Sequence, residues 1–214
     1  MVRKLRKRSC SLIHLKKIVY LISPSKIYGN FFKDLEKVFS AKNIKFFQLR
    51  LKNEKKNNLI KIGKRIKKIT KKYKILFIIN DDPNIAKITN ADGCHLGQMD
   101  GSIINAKKYL KKKIVGITCH NSKIFARLAI NNNADYLAFG SFYKSTLKPK
   151  AKKAKLNILK WAKKNVRKPI VAIGGINNRN YKKIIRSGAK YIAISSYIWD
   201  NPKLKPEIAI KKFK

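Results

Sequence analysis

With 214 residues, 44% of them hydrophobic, the chain is long and apolar enough for one domain with a sizeable core. Its 53 Lys and Arg against 10 Asp and Glu give a formal net charge of +43, which disfavours cationic ligands over most of the surface and draws anionic ones. The three cysteines (Cys10, Cys94, Cys119) rule out a disulfide framework, and no apolar run approaches the roughly eighteen residues that cross a bilayer, so a reducing, cytoplasmic setting is expected.

Residues 1–17, MVRKLRKRSCSLIHLKK, form a short basic N-terminal arm. The apolar run behind them is only about six residues long, too short for a targeting segment and better used as a strand. From 18 to 214 the chain reads as a single catalytic domain, because no Pro-, Ser- or Gly-rich linker divides it. Short runs rich in Ile, Val, Tyr and Phe at 18–23, 45–50, 75–80, 93–96, 114–118, 136–141, 169–174 and 191–196 predict eight strands. Between them, apolar residues spaced by three and four predict helices over 31–39, 58–73, 102–110, 123–131, 156–164 and 181–186. Strands apolar on both faces, each followed by a helix, imply a parallel α/β sheet. Eight such units in about 200 residues imply one closed (β/α)8 TIM barrel, with a doubly wound open sheet as the alternative. An internal echo of NADGCHLG at 90, NADYLAFG at 133 and SGAKYIAISS at 187 supports repetition of a helix-end, turn and strand unit.

In a barrel the reacting groups sit at the C-terminal strand ends. Gln48, Arg50 and Lys52 alternate at the end of the second strand and leave one face, which suits a diphosphate or carboxylate. Four of the ten acidic residues (Asp81, Asp82, Asp92, Asp100) fall between positions 75 and 100. Asp beside Pro83 or Gly93 is an ordinary cap or turn former, which accounts for Asp82 and Asp92. Asp81 and Asp100 follow neighbouring strands, where two hard oxygen ligands can reach one Mg2+. GGINNRN at 174–180 follows the seventh strand and opens a helix, and Ser195 and Ser196 end the eighth, an address where barrels often hold phosphate. Cys94-His95 and Cys119-His120 invite comparison with a zinc site, but successive strand residues point to opposite faces, so four ligands would not converge.

Taken together, QLRLK, INDDPNIA, ADGCHLGQMD, GITCH and AIGGINN at consecutive strand ends resemble the thiamine-phosphate synthases, a family related to the thiazole tautomerases. The resemblance covers nearly the whole chain. It implies a Mg2+-dependent transferase in which an aminopyrimidine-methyl diphosphate loses diphosphate and the ring nitrogen of a thiazole phosphate attacks the methylene cation. By that resemblance Gln48, Arg50, Lys52 and Asn80 contact the pyrimidine diphosphate, and Asp81 and Asp100 hold Mg2+. Thr118 stands where the family usually has serine. Lys148 meets diphosphate, and the Gly175 backbone with Ser195 and Ser196 holds the thiazole phosphate.

One departure falls in the loop after the sixth strand, GSFYKSTLK at 140–148. Ser145 keeps a hydroxyl, but Leu147 replaces a threonine, leaving Thr146 to substitute by a small register shift. That change keeps a tautomerase-like paralogue open, with His120 as acid-base. A non-catalytic polyanion-binding barrel is the reading from a different class, yet the lysines are spread over solvated helix faces and show no aromatic interleaving, so nucleic acid is expected at most as a non-specific partner. The expected partners are small phosphorylated substrates. Further copies of the chain are a second possibility, which no motif specifies.

Overall fold

The computed structural model describes residues 17–144 and 152–214. Eight parallel strands, β1 (Val19–Ile22), β2 (Ile44–Leu49), β3 (Leu76–Asn80), β4 (Gly93–Leu96), β5 (Ile114–His120), β6 (Tyr136–Gly140), β7 (Ile170–Ile173) and β8 (Tyr191–Ile194), close into a barrel in sequence order. The closing seam pairs β1 with β8, Val19 beside Ile192 and Leu21 beside Ile194. Around it lie α1 (Phe31–Phe39), α2 (Lys56–Lys72), α3 (Pro83–Ile88), α4 (Ile103–Leu110), α5 (Lys123–Asn131), α6 (Asn157–Asn165), α7 (Tyr181–Arg186), α8 (Ser196–Trp199) and α9 (Pro206–Ala209). The predicted barrel is the observed one, and the open sheet is excluded.

Three helices lay outside the predicted set: α3, α8 and α9. Each is six residues or fewer, too short to show two turns of apolar period. α3 begins where Asp82 caps it, its carboxylate accepting from Asn84 N (2.8 Å) and Ile85 N (3.0 Å). β5 runs two residues beyond its expected end, and its register against β6 slips between Thr118 and His120.

Alternation along the strands builds two cores. Inside the barrel, Tyr20, Phe46, Ile78, Tyr136, Val171 and Tyr191 fill the lower layers. Outward-facing residues such as Val19, Phe47, Phe77, Val115 and Ile192 pack beneath the helices in a larger cluster, and Cys94 and Cys119 belong to it. The two cysteines therefore face away from the barrel interior, whereas His95 faces into it.

The internal echo has a structural basis. At each copy the chain leaves a helix through a left-handed residue, Asn90 (φ 52°), Asn133 (φ 60°) or Gly188 (φ 121°). Two residues later a backbone N–H reaches a preceding strand: Asp92 N to Phe77 O, Asp135 N to Val115 O, and Lys190 N to Ile170 O. In the first two copies the carboxylate returns the bond, Asp92 accepting from Phe77 N (2.8 Å) and Asp135 from Val115 N (2.7 Å). A lysine from an earlier helix neutralises each, Lys67 at 2.6 Å and Lys107 at 2.8 Å. The turn role assigned to Asp92 is thus a strand clamp. Removing the Asp135 carboxylate would leave the buried Val115 N–H unpaired, so Asp135→Ala is expected to lose about 1–3 kcal/mol in urea unfolding. Lys107→Ala, which breaks a partly exposed ion pair, should lose under about 1 kcal/mol.

The C-terminal residues latch the outside of the barrel. The Asn43 amide donates to Ile210 O (3.2 Å) and Phe213 O (2.7 Å), and the Tyr181 hydroxyl to Lys214 O (2.9 Å). No described helix is long and apolar enough to cross a membrane.

Candidate functional site

A cavity of about 1190 Å³ opens at the C-terminal strand ends and is bounded by residues from strands and loops all round the barrel. Most of the residues named from the sequence reach it: Gln48, Arg50, Lys52, Asn80, Asp81, Asp100, Thr118, Gly175, Ser195 and Ser196. Ser145, Thr146, Leu147 and Lys148 lie outside the described residues, as does the arm apart from Lys17.

Gln48 and Arg50 share the inward face of β2 and its continuation. Gln48 is 3% exposed, yet its side-chain Nε2 has no hydrogen-bond partner among the described residues. A buried amide donor without an acceptor is costly in an empty site and becomes an asset when a substrate supplies the acceptor. Burial works against the charge of Arg50, and Asp81 and Asp100 offset part of that effect. The cationic row and the carboxylates therefore interact at the ends of adjacent strands that bound one cavity.

The turn after β3 presents Asp81. It has φ 64°, in the left-handed region that Asp tolerates, and its backbone N–H donates to His95 O at 2.8 Å. Asp100 comes from the turn after β4, where its carboxylate accepts from Gly97 N at 2.8 Å. The two carboxyls are close enough to shift each other's titration. Burial first, then the neighbouring Asp100, pushes Asp81 up to about 6. For Asp100, burial is outweighed by the bond to Asp81, the Gly97 N–H and Lys52, and its pKa falls. Two hard carboxylates that crowd each other are a fitting donor set for one Mg2+, which usually takes one or two carboxylates and completes its shell with water and phosphate oxygens. Among the described residues no group of three or more His, Cys, Asp or Glu offers a cation a fuller cage.

Opposite this pair, the loop after β7 carries Gly174 (φ 105°) and Gly175 (φ 59°). A Cβ on Gly174 would collide with Ser141, and one on Gly175 with Lys144 O and Tyr143, so only glycine permits this close approach. The loop braces itself: Asn180 Nδ2 donates to Gly175 O (3.0 Å), and Asn177 Oδ1 accepts from Arg179 N (2.9 Å). The Ser195 hydroxyl donates to Ser23 O at 2.8 Å, so its proton is committed to the barrel seam. Ser196 opens α8 beside it.

Residues 19–198 match the family described as thiamine monophosphate synthase. The chain belongs to that family. It is 57% identical over 200 residues to the thiamine-phosphate synthase of Pelagibacter ubique, covering 93% of this chain and 97% of that one. With the thiamine-phosphate synthase of Erythrobacter litoralis the identity is 36% over 186 residues, 85% of this chain and 87% of the other. Among solved structures, thiamine phosphate pyrophosphorylase from Pyrococcus furiosus superposes with a TM-score of 0.83 at 27% identity, covering 94% and 95% of the two chains.

Membership of the thiamine monophosphate synthase family fits the strand-end pattern, which located the cavity residues that belong to motifs. Sequence reasoning missed Lys144, Lys152 and Asp200, which also bound the cavity. The first two are single lysines in a lysine-rich stretch, and Asp200 follows α8, a helix not foreseen; nothing local distinguishes any of them. His120, the residue of the isomerase alternative, reaches the mouth, where it is exposed and meets the Phe125 ring edgewise.

Proposed function

We propose that the chain is a Mg2+-dependent thiamine-phosphate synthase joining an aminopyrimidine-methyl diphosphate to a thiazole phosphate. The observation that carries the reading is the meeting, in one cavity of a family member, of Gln48, Arg50 and Lys52 with the Asp81 and Asp100 pair, whose charges the two cations offset. In this reading the Gln48 Nε2 donates to an acceptor of the pyrimidine diphosphate, and Asn80 orients the same substrate. Arg50 gives a forked contact and Lys52 a point charge to the departing diphosphate. Asp81 and Asp100 would hold Mg2+, which would add neutralising charge for the diphosphate when bound. The methylene carbon–oxygen bond breaks and its electron pair leaves with diphosphate; the lone pair of the thiazole nitrogen then forms the carbon–nitrogen bond. No protein nucleophile is required, and fixed charge at the leaving group is the main catalytic device. The Gly175 backbone with Ser196 and the main chain at Ser195 would seat the thiazole phosphate, and Lys148, with Ser145 or Thr146, would complete the diphosphate contacts. The net charge of +43 raises the local concentration of both phosphorylated substrates.

Purified protein given both substrates and Mg2+ is expected to release thiamine phosphate and diphosphate in equal amounts, read by chromatography. Absence of both products at saturating substrates would refute the proposal. Turnover of a thiazole tautomer that survives Asp100→Ala would favour the isomerase instead.

A further inference from the structure

The pairing of β1 ends at Leu21 on the β8 side and at Ile22 on the β2 side, where the strand reaches the cavity. Ser23 comes next and is 2% exposed. Its backbone N–H still follows the parallel pattern and donates to Gln48 O at 2.9 Å. The next bond of that pattern would run from Arg50 N to Ser23 O. It is replaced: Arg50 N donates to the Ser23 hydroxyl oxygen at 3.0 Å, and the Ser23 carbonyl accepts instead from the Ser195 hydroxyl at 2.8 Å. The hydroxyl hydrogen of Ser23 has Pro24 O at 3.0 Å and Arg50 O at 3.3 Å as acceptors. Pro24 has no N–H with which to prolong the ladder.

One side chain thus stands in for one carbonyl. Because the hydroxyl takes the Arg50 N–H, the carbonyl is released to hold Ser195. Trp199 braces the same corner, its Nε1 donating to Ile22 O at 2.7 Å. Arg50 belongs to the diphosphate seat of the proposed synthase, and the main chain of Ser195 to its thiazole-phosphate seat. Ser23 touches both.

We infer that Ser23 is a positioning residue that sets the spacing between the two substrate seats, and with it the distance the thiazole nitrogen must close to reach the methylene carbon. The inference rests on the synthase reading and deepens it. Its chemical consequence is a choice of nucleophile. With the seats in register, the thiazole nitrogen takes the cation left by diphosphate. With the seats displaced, water takes it: the water oxygen bonds to the methylene carbon, a proton goes to solvent, and the product is the hydroxymethylpyrimidine. Diphosphate is released either way. Without the Ser23 hydroxyl, Arg50 N turns to the Ser23 carbonyl that Ser195 already occupies, and the two seats shift as they share one acceptor.

The experiment compares the diphosphate and the thiamine phosphate released by the parent and by Ser23→Ala, with both substrates and Mg2+ present and folding checked by circular dichroism. The parent is expected to give equal amounts. Ser23→Ala should form thiamine phosphate more slowly, by up to about 10²-fold for a displacement of about 1 Å, and should release diphosphate in at least about twofold excess over it. A general loss of folded protein lowers both products together and leaves them equal, so the ratio separates positioning from folding. Ser195→Ala removes the other half of the link and should give the same excess; it is decisive should Ser23→Ala not fold. Equal amounts from the folded variant beside an active parent overturn the inference alone. A parent that yields neither product overturns the synthase reading and this inference with it.

Discussion

Asp81→Asn is expected to abolish most synthase activity, by at least about 10²-fold, the scale for losing one group that stabilises charge on a leaving group. The same substitution should make the metal-free protein more stable at pH 8. Asp81 is raised to about 6 by burial and by Asp100. A carboxyl whose folded pKa exceeds its unfolded value favours the fold when protonated. That contribution is complete below about pH 4 and is lost as pH rises through the folded value near 6. At pH 8 the parent carries two crowded carboxylates, and the amide relieves them. The shift of about two pKa units converts to about 3 kcal/mol, which half-exposure and screening reduce to roughly 1–2 kcal/mol. For a chain of this size that is a rise in Tm of about 2–8 °C at pH 8, shrinking to nothing near pH 4. Adding Mg2+ should raise the melting temperature of the parent and leave the variant unmoved, because a ligand stabilises only the state that binds it. A variant no more stable than the parent at pH 8 would mean that the two carboxyls do not crowd each other.

Gly116→Ala is expected to be among the most damaging single substitutions in the barrel. Gly116 pairs with Tyr136 across β5 and β6, and a Cβ there would lie within the Tyr136 ring. The ring cannot withdraw: it is held by Tyr20 and His95 through its hydroxyl and stacked on the imidazole. Overpacking of a dense core usually costs about 1–3 kcal/mol, and a ring fixed at both ends belongs at or beyond the upper value. Denaturant unfolding should show that loss, and activity should fall further as His95 and Thr118 are displaced. Gly29→Ala, with open space at its Cβ, should show neither. Parental stability in Gly116→Ala would disprove the packing argument.

How much of this was legible in the sequence depended on range. Strands buried on both faces read as continuous apolar runs, and the helices α1, α4 and α5 announced themselves by period, so the barrel was visible. The cations of β2 and the carboxylates Asp81 and Asp100 were visible because strand ends expose their alternation. The line of hydrogen bonds from Tyr20 through Tyr136 and His95 to Thr118 was not, because it joins positions 20, 95, 118 and 136, each unremarkable in its own strand. Tyr20 and Tyr136 look like ordinary β-formers until closure brings their hydroxyls together. The unpartnered Gln48 amide is likewise a property of the closed barrel alone. Asp92 and Asp135 were recognisable as a repeat, but their clamp on the preceding strand needed coordinates.

The seam between β1 and β8 has a consequence for how the protein is made. Of the described strands, the first to leave the ribosome is paired with the last, so the β1 edge, carrying Val19, Tyr20, Leu21 and Ile22, waits longest among them for its partner. An exposed apolar edge is a template for association with another nascent chain. Lys17, immediately ahead of it, is the kind of flanking charge that discourages such contacts. In producing cells, slowing translation late in the message should therefore increase aggregation more than the same delay placed near its start.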